Sequence, residues 1–173
     1  ELEINDLADY LERVEGDDDE FSRLISALTI HTTSWFRENP HYVKFQQILI
    51  DTLNKQETFK LWCAACSTGE EVYSFSLMLE EFRRIHKNFD YKILGTDIDP
   101  LSLEKASDGV YDQKLLTPHV MQYKNHLLFG SGPTEGLFSV SKDIRNRCEF
   151  APVDLRDVGR LPQGPFHMVA CRN

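Results

Sequence analysis

"LWCAACSTGEEVYSFSLMLEEF", residues 61–82, decides how the rest of the chain is read. Phe59 to Ala65 is a mostly apolar run of strand length, and Val72 to about His86 carries apolar residues at helical spacing. Between them lies Cys66-Ser67-Thr68-Gly69-Glu70-Glu71, so the stretch reads as strand, loop and helix. Two chemistries compete for it. Trp62-Cys63-Ala64-Ala65-Cys66 has the spacing of a thiol redox site or half a zinc site, whereas the small residues of the loop leave room for a ligand beside the backbone.

The sulfurs are the weaker candidate. A reactive thiolate at this position would be opposed by the carboxylates of Glu70 and Glu71 at the helix start, and the helix begins near Val72, beyond both cysteines. Zinc needs a second ligand pair, and Cys148 and Cys171 form neither a CxxC nor part of an HxxxH. No metal site is expected. Cys63 and Cys66 are best read as small apolar residues at the end of a core strand. A thiol oxidoreductase stays as a distant alternative, distinguished by a depressed pKa at Cys63.

Working outward, Tyr91 to Thr96 reads as a second strand and Pro100 to Ser107 as a short helix. Glu149 to Val153 and Phe166 to Cys171 are two further strands. Strands alternating with helices predict an α/β fold, a doubly wound parallel sheet with helices on both faces. Residues 109–147 interrupt it with Gly130, Gly132, Pro133 and Gly136 followed by the alternating Leu137-Phe138-Ser139-Val140, which predicts a small antiparallel hairpin subdomain. Towards the amino terminus, Ile4, Leu7, Leu11 and Val14 fall at helical spacing, as do Phe21, Leu24, Ile25 and Leu28. The intervening Gly16-Asp17-Asp18-Asp19-Glu20 ends one helix and caps the next. Pro40 opens a third helix, through about Asn54.

The chain of 173 residues suits one domain with a proper core. We divide it into a partial helical region and linker, 1–38, and a sheet domain, 39–173. A net charge of -9 with scattered Lys and Arg excludes a nucleic-acid binder. No apolar run approaches the roughly 20 residues that span a bilayer. The composition fits a cytoplasmic protein with reduced thiols.

Ligands of open parallel sheets sit at the carboxyl ends of strands, where the strand order reverses. The 64–71 loop ends the first strand, and Asp97, in Gly95-Thr96-Asp97-Ile98-Asp99, ends the second, where an acid accepts hydrogen bonds from ribose hydroxyls. A strand-end turn with a capping aspartate would explain the same residues. The single Gly69 is neither a GxGxxG nor a P-loop, which excludes a pyrophosphate ligand and favours a phosphate-free nucleoside. Glu70 and Asp97 would suit a cationic one, and S-adenosylmethionine (SAM) combines a ribose, an ammonium group and a sulfonium.

These residues fall into five ordered motifs: "FSRLISALTIHTTSWFRE" (21–38), "AACSTGEEVYS" (64–74), "GTDIDPLSLEKASDGVYD" (95–112), "GSGPTEGLF" (130–138) and "FHMVACRN" (166–173). Together they resemble the CheR family of bacterial chemotaxis receptor methyltransferases along the whole chain. The resemblance implies a Rossmann-like class I SAM-dependent methyltransferase sheet carrying a small β-subdomain. It implies a protein-glutamate O-methyltransferase, cytoplasmic and bacterial, that takes SAM and chemoreceptor cytoplasmic domains and releases S-adenosylhomocysteine (SAH).

Position by position, it implies that Glu70 binds the ammonium of SAM and Asp97 its ribose. His31, Thr33 and Arg37 would lie at the methionine end, with Arg37 catalytic. Asp154 and Leu155 would flank the adenine, and Arg172 and Asn173 would line the far wall. His31 stands where the family usually has Asn, Val72 where it has Pro, and Asp154 where Asn is frequent. The family's basic receptor-facing helix falls before Glu1 in this numbering, and its active-site tyrosine falls after Asn173. A SAM- or SAH-binding regulatory module without turnover is therefore the main alternative. In some members the small subdomain tethers a receptor C-terminal peptide.

Overall fold

The computed structural model describes residues 6–29, 32–38, 40–52 and 58–172. Its first elements are helices α1 (Leu7–Glu15), α2 (Asp18–Leu28) and α3 (Pro40–Thr52). Asp17 caps α2 by accepting from the amides of Asp19 and Glu20, so the acidic run between the helices is a helix start. Asn54 lies outside the described residues. The sheet region follows with β1 (Phe59–Ala64), α4 (Glu70–Ile85), β2 (Tyr91–Asp97) and α5 (Pro100–Asp108).

An inserted segment then provides β3 (Val110–Asp112), α6 (Pro118–Met121), β4 (Leu127–Phe129) and β5 (Leu137–Val140). After α7 (Lys142–Arg145), the chain returns to the large sheet through β6 (Cys148–Pro152) and β7 (Met168–Cys171). The large sheet has the order β6-β2-β1-β7, and every neighbouring pair is parallel. The chain moves outward from β1 through β2 to β6, then crosses back to place β7 on the other side of β1. The order therefore reverses at β1, whose carboxyl end is the place for a ligand in this architecture.

The core explains these elements. Phe59, Leu61 and Cys63 on β1 are fully buried, and Lys60 between them faces out. Helix α4 is covered along most of its length, from Glu70 to Leu77 and again at Leu79 and Glu80, so it reads as a central helix with little polar face.

Two expectations change. Helix α4 begins at Glu70, two residues earlier than its apolar pattern suggests. Gly69 adopts a left-handed φ of 90° as its N-cap, and the two glutamates fill a first turn that favours negative charge. The small subdomain is a three-stranded antiparallel sheet of order β3-β5-β4 rather than a hairpin, because Val110–Asp112 pairs along the second edge of β5. Among the described residues, no helix is long and apolar enough to cross a membrane.

Candidate functional site

The loop after β1 is built from backbone conformations that side chains resist. Ala65 (φ 56°) and Ser67 (φ 50°) are left-handed, as is Gly69. Such conformations cost non-glycine residues on the order of 1–2 kcal/mol each and persist where the surroundings enforce them. Here the surroundings are clear. The Cys66 amide donates to the Thr96 carbonyl at 2.9 Å, and the Ser67 amide donates to Asp97 Oδ2 at 2.6 Å. Asp97 Oδ1 accepts from the Asp99 amide at 3.0 Å. Asp97 thus ties the two strand-end loops together, each oxygen accepting one backbone hydrogen bond among the described residues. Gly69 is required for space as well as for φ, since a Cβ there would lie 2.8 Å from the Ala106 side chain.

These loops form one wall of a cavity of about 310 Å³ at the carboxyl ends of β1 and β2. Ala65, Cys66, Ser67, Asp97 and Ile98 line this side, and Thr29, Thr32, Thr33 and Arg37 face them from the amino-terminal segment. Glu71 and Arg172 close the bottom. The Arg172 Nε donates to Glu71 Oε2, and its Nη1 donates to the Arg37 carbonyl at 3.1 Å. Burial pushes the Glu71 carboxyl above the usual range, and Arg172 pulls it only part of the way back. Arg37 donates from Nη1 to the Thr32 carbonyl at 2.7 Å.

The structure brings together Thr33, Arg37, Asp97 and Arg172 on this cavity. Glu70 is buried beside it, its carboxylate accepting from the Thr68 hydroxyl at 2.6 Å. The neighbouring Glu71 is the acid that lines the cavity. Asp154 folds back on Arg156, and neither Asp154 nor Leu155 is among the lining residues. The Arg156 hydrogen bonds hold the Asp154 carboxyl down at about 2. His31 and Asn173 lie outside the described residues.

Sequence reading missed Glu71, Thr29, Thr32 and Ile98. Glu71 adjoins Glu70, Ile98 adjoins Asp97 and Thr32 adjoins Thr33, which was the only signal for them; Thr29 carried none.

Cys63 and Cys66 are free and buried, and burial raises both thiols well above their ordinary value. The Cys148 thiol is pushed up to about 12 by burial. None of these is a poised thiolate. Among the described residues, no cluster of His, Cys, Asp or Glu could hold a metal ion.

The lining combines acceptors for hydroxyl or ammonium groups with two guanidinium groups, Arg37 and Arg172. Two carboxylates, Glu71 and Asp97, face the space, and the Ser67 hydroxyl is buried without a hydrogen-bond partner among the described residues.

A model of the CheR methyltransferase SAM binding domain matches residues 31–173. The chain is 34% identical to the chemotaxis protein methyltransferases of Salmonella typhimurium and Escherichia coli, over 99% of its own length. It is 30% identical to chemotaxis protein methyltransferase 2 of Pseudomonas aeruginosa, again over 99% of its length. In these relatives the match covers 59%, 60% and 61% of the protein. The chain therefore spans about three-fifths of the length of the curated relatives it matches.

Proposed function

Because the chain belongs to the CheR methyltransferase family, we propose that it transfers a methyl group from SAM to glutamate side chains of chemoreceptors, releasing SAH. The observation that carries this reading is the cavity at the reversal of strand order, where Asp97 and Glu71 face Arg37 and Arg172.

When bound, SAM supplies an electrophilic methyl group on a positively charged sulfur. The protein's own contribution is binding and orientation. Asp97 is the acceptor for ribose hydroxyls. The Glu70–Glu71 pair provides the acid for the ammonium group, and Glu71 is the member with access to the cavity. Thr33 is assigned to the same end, and Arg172, which pairs with Glu71, lines the cavity beside it. By the family resemblance His31 and Asn173 are further candidates for cofactor contacts, and Asp154 and Leu155 are the candidates for the adenine side.

Arg37 is the candidate catalytic residue. A guanidinium fork grips two carboxylate oxygens at once, and Thr32 engages just one of Arg37's nitrogens. A receptor glutamate is already ionised at neutral pH, so no general base is required. What remains is alignment, which can contribute ~7–11 kcal/mol. Arg37 supplies it by fixing the incoming carboxylate.

The small sheet bears a groove formed by Val110, Leu128, Phe129, Leu137 and Phe138. Val110, Leu128, Phe129 and Leu137 are partly exposed over the buried Phe138, and with the open strand edges they are suited to adding a receptor C-terminal peptide as a further strand.

Calorimetry with SAH, paired with a methyl-transfer assay on receptor cytoplasmic fragments, tests the reading. Binding with transfer is the expected result. Binding without transfer would favour the regulatory-module alternative, and absence of SAH binding would overturn both.

A further inference from the structure

Resting on the reading that Arg37 grips the incoming carboxylate, we propose that the inserted segment positions Arg37. His119 and Tyr123 act as positioning residues through the ring of Phe36. Arg37 is bracketed by two left-handed residues, Phe36 (φ 51°) and Glu38 (φ 61°). A backbone bent twice in three residues needs a clamp. The clamp is aromatic.

Phe36 is buried and stacks on His119 at 4.0 Å with ring planes 17° apart, and on Tyr123 at 5.3 Å with planes 15° apart. Its third ring neighbour is Tyr42 of α3, at 5.3 Å. The preceding Trp35 meets Tyr111 of β3 edge-on at 5.1 Å and Phe138 of β5 at 5.7 Å. Trp35 also keeps its Nε1 buried without a hydrogen-bond partner among the described residues, so ring packing is what holds it. Four of these rings, Tyr111, His119, Tyr123 and Phe138, come from the insertion. The backbone is fixed from the other side, where the Phe36 amide donates to Ser74 Oγ at 2.9 Å and Arg172 donates to the Arg37 carbonyl.

The insertion is therefore more than a cover over a sheet edge. It sets the direction in which the residue after Phe36 projects. Tyr111 adds a second link, donating to the Thr68 carbonyl of the opposite wall at 2.8 Å.

His119 is half-buried on a short helix, so its truncation opens no core cavity. In His119→Ala we expect turnover about ten- to a hundredfold lower, the cost of a misplaced catalytic group. SAH affinity should change only a few-fold, with a melting temperature near that of the parent. Amide exchange at Phe36 should quicken. His119→Phe, which keeps a flat ring against Phe36, should restore both turnover and protection. His126→Ala removes a different tie of the insertion, the 2.8 Å contact with Glu81 on α4, and should lower the melting temperature while leaving turnover unchanged.

Parent-level turnover in His119→Ala, equal loss in His119→Phe, or equal loss in His126→Ala would each overturn the proposal. Should His119→Ala fail to fold, Tyr123→Leu, which keeps bulk but loses the flat face, serves in its place under the same criteria. A parent protein that takes up no SAH sinks the cofactor reading instead. A parent that binds and transfers, alongside an indifferent His119→Ala, sinks the positioning alone.

Discussion

Two arginine–carboxylate pairs, one in the cavity and one near its margin, show what burial does to the same chemistry. Arg172 and Glu71 keep only 15% and 5% of their side-chain surface exposed, and they connect α4, the end of β7 and the backbone of Arg37. Arg156 and Asp154 meet at 2.6 Å with 85% and 33% exposed, two residues apart in one turn. The first pair is costly to assemble and costly to break, because an unpaired partner is stranded away from water. The second exchanges protein contacts for water at little cost. Short distance alone does not separate them; position in the fold does.

That contrast can be broken or sharpened by substitution. The largest effect is expected at Arg37, one of the two arginines on the cavity. Arg37→Ala should reduce methyl transfer roughly a hundred- to a thousandfold, the scale for losing one charge-stabilising donor, with an unchanged circular dichroism spectrum. Near-normal turnover would remove Arg37 from the mechanism.

Glu71→Ala comes next. It strands Arg172 and should lower the free energy of unfolding by about 3 kcal/mol, read from denaturant titration. A loss below about 1 kcal/mol would mean that the buried pair behaves like a surface pair. The pH dependence sharpens the point. Because burial raises the Glu71 carboxyl in the folded state, the folded protein holds its proton to higher pH than the unfolded chain. Its contribution to stability is thus present below the ordinary carboxylate range and is lost as pH rises through the raised value. Glu71→Gln should flatten that slope in melting curves taken across the acid range.

A smaller effect is expected from Asp97→Asn, which leaves one oxygen where two now serve the Ser67 and Asp99 amides. SAH affinity should fall about tenfold by calorimetry, the scale of one hydrogen bond to a charged group. Smallest of all, Arg156→Ala should leave the melting temperature where it is. A clear drop there would contradict the assignment of the Asp154–Arg156 pair to the solvated margin.

Much of this arrangement was legible in the residues. The apolar run from Phe59, the helical spacing after Val72 and the strand at Tyr91 gave β1, α4 and β2 to within two residues, because the buried positions of each element recur in the sequence as apolar residues at the period of a strand or a helix. Asp97 and the small-residue loop were recognisable as a pair for the same reason, since both follow strands. The choice between Glu70 and Glu71 was not. Successive residues on a helix point about 100° apart, so the acid that faces the cavity depends on how α4 is rotated against the sheet. The third strand of the small sheet was also hidden, because three residues are too few to show alternation.

The sequence by itself determined the doubly wound pattern, the strand-end position of the candidate site, and the absence of the glycines a pyrophosphate would need. Only the tertiary structure decided that Arg172 would reach Glu71 from 101 positions away and that rings from the insertion would clamp the residue before Arg37. The physical reason is range. Periodicity and turn chemistry act between near neighbours, while the direction of a buried side chain is set by everything packed around it.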